Sequence, residues 1–322
     1  MTPFQPSSPH VKIVSPSEFP LPTSGVLAAE QRALIDTWLT EYGFVVFRGF
    51  DIASDGDFDG FVSRFDWVNF RYADSFSNAV RTNRTERVFT ANEAPADVEI
   101  FLHHEMAQTL TFPTKLFFYC EHAAAEGGAT PICRSDAALV TLEQEQPAFT
   151  AQLRALGVRY RTTMPFKADK ASGQGRSWPD TLGVADVPQA EHKLTALGYR
   201  YRWLQNHVLS VETPPLPAIT RAPDGTAVFF NQIVAAGAGW RRRADDEAPR
   251  LCYGDGSPID DHHIAAAIDI CYRHTVDIQW QNRDVALLDN YKVMHGRRPF
   301  QGRRSVLAAL CAPMSRPVFQ AD

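Results

Sequence analysis

Val98-Glu99-Ile100-Phe101-Leu102-His103-His104-Glu105 decides the reading of this chain, because an apolar run ends in two histidines and a carboxylate. The run reads as a strand, and alternate residues of a strand share a face. His103 and Glu105 then point together, and His104 points away as a packing or supporting residue. Far along the chain comes a second stretch, His295-Gly296-Arg297. Two histidines and one acid on one face make the 2-His-1-carboxylate set that holds a non-heme ferrous ion and leaves positions open. His103, Glu105 and His295 are therefore the expected metal ligands and catalytic centre.

Ferrous iron held on one face keeps half its coordination sphere free. A 2-oxo acid can chelate two positions, and dioxygen takes the last. The far carboxylate of the oxo acid then needs a cation, and the planar fork of arginine suits it. Arg304 lies on the next expected strand, past a turn marked by Pro299 and Gly302. The spacing predicts that adjacent antiparallel strands bring Arg304 and His295 into one pocket.

Outward from these motifs, many short strands with peripheral helices predict a mostly β sandwich or barrel. Residues 1–25, rich in Pro and Ser, read as an extended arm. Helical spacing runs from Ala28 to Tyr42 and stops at Gly43, before a Phe44–Phe47 strand. A brief helix is expected over 57–65 and a strand over 115–120. Gly127-Gly128 turns into a Thr130–Cys133 strand, and Ser135-Asp136 is placed to cap a helix. Residues 167–188 read as a long loop. The three last strands are expected over 276–280, 285–289 with an extension to 294, and 305–310. The chain reads as one domain in which roughly 140–260 is an insertion between strands of the core, a length still compatible with a single barrel or sandwich.

Composition excludes several classes. With 44% hydrophobic and 21% charged residues, the 322-residue chain is ordinary for a globular protein. A net charge of −5 gives no reason to expect nucleic acid or an anionic membrane. No apolar run is long enough to span a bilayer, and the N-terminus carries no secretory pattern. The five cysteines are scattered and form no Cys-x-x-Cys pair. A reducing, cytoplasmic location is expected. The partner is a small molecule, and nothing in the sequence speaks to oligomeric state.

The ordered motifs resemble the taurine dioxygenase/clavaminate synthase-like superfamily of Fe(II)/2-oxoglutarate oxygenases. They are Gly43-Phe44-Val45-Val46-Phe47-Arg48-Gly49-Phe50, Leu102-His103-His104-Glu105-Met106, Gly127-Gly128-Ala129-Thr130-Pro131, Phe229-Phe230-Asn231-Gln232, and Asp289-Asn290 through His295 to Arg303-Arg304. The resemblance implies a double-stranded β-helix, a jelly roll with a cupin-like core, and Fe(II), 2-oxoglutarate and O2 as cofactor and co-substrates. It maps His103, Glu105 and His295 onto the metal triad. It puts Arg304 on the distal carboxylate of 2-oxoglutarate with the Thr130 hydroxyl beside it. It also implies hydroxylation of an unactivated C–H bond in an amino-acid-like substrate, free or carrier-bound. The alternatives are desaturation or cyclisation in a natural-product pathway, or a jelly roll that binds metal without redox work. Two departures stand out. The acidic ligand is Glu105, as in the clavaminate synthase branch, where taurine dioxygenase types carry Asp. Ala308 stands where taurine dioxygenase carries a second arginine. Glu105 also argues against halogenation, since family halogenases have a small residue there.

Further candidates are weaker. Arg297, Asn231, Gln232 and His207 are substrate-binding candidates, each with a plain structural alternative. His262-His263 and His122 read as solvated or strand-end residues. Arg241-Arg242-Arg243 with Asp245-Asp246-Glu247 reads as a self-paired surface run, with docking of an acidic carrier as its alternative. Phe117, Phe118, Phe229 and Phe230 read as core.

Overall fold

The computed structural model describes residues 11–316, except 78, 92–93, 170–174 and 241–248, together with 319. Two sheets face each other. The larger has six strands, in the order Ile13–Val14, Phe44–Phe47, Val285–Asp289, Thr111–His122, Ser305–Ser315 and Phe89–Thr90. The smaller has four, in the order Thr275–Ile278, Thr130–Arg134, Val293–Arg297 and Ile100–His103. This is the expected jelly roll.

Alternation explains the layers. Leu116, Phe118 and Cys120 point inward from the larger sheet, beside Ala286, Leu288, Ala308 and Leu310. They meet Ile132, Ile278 and Val293 from the smaller one. Their neighbours Phe117, Tyr119, Val285, Leu287 and Leu307 point outward and are covered by Trp38, Phe58 and Phe61 of two helices. A strand buried on both faces must be apolar throughout, which is why Leu116-Phe117-Phe118-Tyr119-Cys120 shows no polar alternation. The smaller sheet is covered likewise, with Leu102, Cys133 and Met294 against Leu139 and Ile270. A third sheet of four strands lies between the core strands in sequence, in the order Leu251–Tyr253, Val158–Met164, Val208–Glu212 and Arg200–Leu204.

Local signals set most boundaries. The Ala29–Tyr42 helix ends at Gly43, whose φ of 80° is the left-handed conformation a helix stop favours. Ser54 caps the Asp55–Ser63 helix by accepting from the Asp57 N–H. All five cysteines are unpaired and buried. Among the described residues no helix is long and apolar enough to cross a membrane.

Several expectations need correction. Part of the N-terminal arm is an edge strand, Ile13–Val14, parallel to Phe44–Phe47; residues 1–10 lie outside the described ones. Ser135 does not cap its helix, whose N-cap is Arg134. Its hydroxyl bonds His104 Nε2 at 2.7 Å instead. The 167–188 loop contains a short helix, Trp178–Leu182, capped by Ser177. The 285–294 stretch is not one strand: a turn at Asn290–Lys292 carries the chain from the larger sheet to the smaller. Arg304 and His295 therefore sit at facing sheets rather than on adjacent strands.

Candidate metal centre

The register of the smaller sheet pairs His295 directly with His103 across antiparallel strands. Residues opposite each other share a face, so the two imidazoles lie side by side with ring centres 4.4 Å apart. The strand slips between His295 and Arg297. Gly296 permits this, because a Cβ there would stand 2.4 Å from the Ile100 carbonyl.

Glu105 arrives differently from the expectation. The strand ends at His103, and Glu105 lies in the turn beyond it, before Met106 at a φ of 57°. Asn290 holds it there. The Asn290 Oδ1 accepts the Glu105 N–H at 2.8 Å, and Nδ2 donates to the Glu105 carbonyl at 2.9 Å and to Pro113 at 2.7 Å. Both backbone groups of Glu105 are thereby fixed by one amide.

The carboxylate oxygen Oε2 of Glu105 then lies 3.9 Å from His103 Nε2 and 3.8 Å from His295 Nε2. Among the described residues these three side chains form the one group of histidines, cysteines and acids with metal-ligand geometry, with donor atoms within 4.8 Å of one another. Donors bound about 2.1 Å from one ion on one face of an octahedron stand about 3.0 Å apart, so the three side chains would close by about 1 Å or somewhat more to seat a first-row divalent metal. The His103 Nδ1–H donates to the Phe101 carbonyl at 2.8 Å, which leaves Nε2 with a lone pair toward Glu105. Burial pushes the His103 imidazole below the ordinary histidine range and that of His295 well below it. Both rings are neutral, as ligands must be. His295 Nδ1 is buried with no hydrogen-bond partner among the described residues. Two neutral imidazoles and one carboxylate are the donor set that suits Fe(II).

His104 faces the other way and is fully buried. Burial pulls it down to about 3. Its Nδ1–H donates to the Asn290 carbonyl at 2.5 Å, and Nε2 lies 2.7 Å from the Ser135 hydroxyl and 3.1 Å from the Phe229 carbonyl. It ties the Glu105 turn to the turn that holds it.

The remaining expected residues separate into two groups. Arg304 donates through Nε to the Gly128 carbonyl at 3.0 Å, two residues before Thr130. Its two Nη groups make no hydrogen bond to a described residue, so its fork stays open to a carboxylate. Burial, with Arg297 nearby, brings the Arg304 guanidinium down to about 10, still charged at neutral pH. Gly128, at a φ of 69°, leaves room for it, since a Cβ would stand 3.0 Å from the arginine's Cδ and Nε. Thr130 is buried, its hydroxyl accepting from Trp280 Nε1 at 2.9 Å.

The substrate candidates fare differently. Gln232 lines a cavity of about 690 Å³ that opens on His103 and Glu105, and its Nε2 donates to the His104 carbonyl and to Gln108. Asn231 is turned away, bonded to Ala218 and to the Ile233 N–H. Arg297 donates to the carbonyls of Ala94, Pro95 and Val98, bracing the rim of the cavity. His207 is exposed, while its neighbour Val208 lines the cavity. The Arg241–Glu247 run lies outside the described residues. Sequence reasoning missed Arg81, Gln108 and Arg250 on the cavity wall, and the bracing role of Asn290. Asn290 stood inside a quoted motif; the others lie in segments without periodicity.

A profile of the taurine catabolism dioxygenase TauD, TfdA family matches residues 3–310. The chain belongs to that family. It is 36% identical to a clavaminate synthase-like protein of Arabidopsis thaliana, over 95% of this chain and 94% of that one. It is 29% identical to the dapdiamide synthesis protein DdaC of Enterobacter agglomerans, over 97% of this chain and 94% of that one. The fold is that of PvcB from Pseudomonas aeruginosa, at a TM-score of 0.56 and 14% identity, covering 98% of this chain and 92% of the other. The chain is an Fe(II)- and 2-oxoglutarate-dependent dioxygenase, and the donor set and open arginine fork described above fit that cofactor and co-substrate.

Proposed function

We propose that His103, Glu105 and His295 hold the ferrous ion, that Arg304 and Thr130 anchor 2-oxoglutarate, and that the enzyme hydroxylates an unactivated C–H bond of an amino-acid-like small molecule, free or carrier-bound. The convergence of three donors from two remote stretches carries this reading. The similarity to a dapdiamide synthesis protein supports a natural-product setting. We also read the chain as a single oxygenase domain with residues of roughly 140–260 inserted; the third sheet, built within that span, supports this.

When bound, iron with 2-oxoglutarate and dioxygen supplies an oxidant able to take hydrogen from carbon, with release of carbon dioxide and succinate. The protein's own work is placement. Neutral His103 and His295 offer lone pairs, and Asn290 holds the backbone of Glu105 so that its carboxylate faces them. Arg304 receives a carboxylate through two Nη donors, and Thr130 borders that seat. Phe118, whose ring lies 5.1 Å from that of His295, keeps the inner side apolar. Gln232 and Gln108 offer amides to a substrate in the cavity. The test is anaerobic addition of Fe(II) and 2-oxoglutarate. A weak visible charge-transfer band is expected in the native protein and none in Glu105→Ala. A band that survives Glu105→Ala and Arg304→Ala unchanged would overturn the ligand assignment.

A further inference from the structure

We infer that Gln108 and Gln232 form a neutral seat for a substrate amide beside the candidate metal site; the inference rests on the amino-acid-like reading above and narrows it to a substrate that carries a carboxamide or a peptide-type amide. Both side chains line the cavity that opens on His103 and Glu105. Their contacts tell the nitrogen of each from its oxygen. Gln232 Nε2 donates to the His104 carbonyl at 2.7 Å and to Gln108 Oε1 at 2.9 Å. A backbone carbonyl only accepts, so the atom facing His104 must be the nitrogen. Both protons of that nitrogen are engaged, and Gln232 has only its Oε1 left to offer. Gln108 has its oxygen engaged by Gln232, so its Nε2 carries what remains. Neither Gln232 Oε1 nor Gln108 Nε2 has a hydrogen bond to a described residue. The pair therefore presents one acceptor and one donor group, on either side of the hydrogen bond that joins them. An amide supplies the complement, an N–H for Gln232 and a carbonyl for Gln108.

The seat is held before any ligand arrives. Gln232 donates its backbone N–H to the hydroxyl of the buried Tyr160 at 2.9 Å, and its carbonyl accepts from the Ala236 N–H at 2.8 Å. With backbone and side chain both fixed, little ordering is left to be done on binding. Gln232 is 5% exposed, so its Oε1 has little access to bulk water. A nearly buried acceptor without a partner is costly, and a ligand N–H removes that cost. Charge narrows the choice of ligand. Neither glutamine is ionised, so a carboxylate or ammonium seated on the pair would lose hydration without meeting an opposite charge from it. An ester or a fully substituted amide has no N–H for Gln232. His104, whose carbonyl anchors the pair, stands between the proposed ligands His103 and Glu105 in the chain. An amide held here lies against the backbone that carries both.

The full chain, loaded anaerobically with Fe(II) and 2-oxoglutarate, is titrated with acetamide, N,N-dimethylacetamide, methyl acetate and acetamidine, and then with asparagine, glutamine and alaninamide. The readouts are the charge-transfer band and the melting temperature. Acetamide is expected to bind, and the dimethyl amide and the ester to bind about 10-fold more weakly, the scale of one lost hydrogen bond. One or more of the amino-acid amides should shift the band. Gln108→Glu keeps the shape of the side chain and turns its donor into an acceptor. Acetamide should then bind about 10-fold more weakly, and acetamidine, which only donates, about 10-fold more tightly. A residue that merely supported the fold would weaken every ligand alike. Gln108→Leu carries the acetamide comparison if the glutamate variant does not fold. The proposal fails if acetamide does not bind, if the dimethyl amide and the ester bind as well as acetamide, or if Gln108→Glu leaves the order of acetamide and acetamidine unchanged. If acetamide binding depends on Gln108 but no amino-acid amide shifts the band, the amide seat stands and the amino-acid reading falls.

Discussion

The two sides of the candidate metal site are built from different material. On the inner side, Thr130, His295 and Phe118 stand on three strands of facing sheets, with Arg304 just before a fourth, Ser305–Ser315. On the outer side, Arg81, Ala94, Pro95, Glu105 and Gln108 lie in turns and irregular segments, backed by the third sheet. Strands fix a side chain through ladders on both flanks, whereas loops position it through individual side-chain bonds. The inner side is thus suited to a fixed co-substrate and the outer side to a particular substrate. The proposed metal triad straddles the two: its histidines belong to the sheet, and its carboxylate belongs to a turn that Asn290 fastens to the sheet.

Substitutions can break or sharpen that contrast. The largest effect is expected from Glu105→Ala, which should bring 2-oxoglutarate-dependent succinate release to background while circular dichroism stays native. Arg304→Ala, on the inner side, should weaken 2-oxoglutarate by about 10- to 150-fold, the equivalent of about 1.5–3 kcal/mol for hydrogen bonds to a charged group. Its KM for 2-oxoglutarate should rise more than kcat falls; a change confined to another substrate would show the two sides exchanged. Asn290→Ala leaves the turn unfastened and should cost about 10- to 100-fold in metal affinity, measured by anaerobic Fe(II) titration. Gly296→Ala forces a methyl toward the Ile100 carbonyl and should lower stability by about 1–3 kcal/mol in denaturant melts. His207→Ala, exposed outside the cavity, should stay within about 0.5 kcal/mol in stability with kcat/KM unchanged.

The same contrast explains what the sequence made legible. The jelly roll was readable because its strands are long, apolar and punctuated by Gly43, Gly127-Gly128 and Pro299. His103 and His295 were readable because strand period and a distant His-Gly-Arg pattern point to one face, and the structure pairs them in register. Glu105 joined them in the reading for an imperfect reason: strand alternation was assumed where a turn delivers it. The neighbourhood of Arg304 was misjudged because a three-residue turn, Asn290–Lys292, switches sheets without a glycine or proline to announce it. Arg81 carries no local signal at all. Its place depends on Tyr72 and Phe89 meeting across an irregular segment, and no periodicity announces that meeting. Asn231 and Gln232 show the limit of a motif, since adjacent amides in one stretch turn to opposite tasks.

One contact near the end of the chain reaches back to the metal turn. Arg316 donates to the carbonyls of Ala107 and Thr109 and rests against the rings of Phe112 and Phe230. During synthesis Arg316 leaves the ribosome 211 residues after Glu105. The turn bearing Glu105 therefore lacks this fastening until Arg316 has been made, so a polypeptide cut short between His295 and Arg316 would keep both histidines yet present them with a loosely held carboxylate.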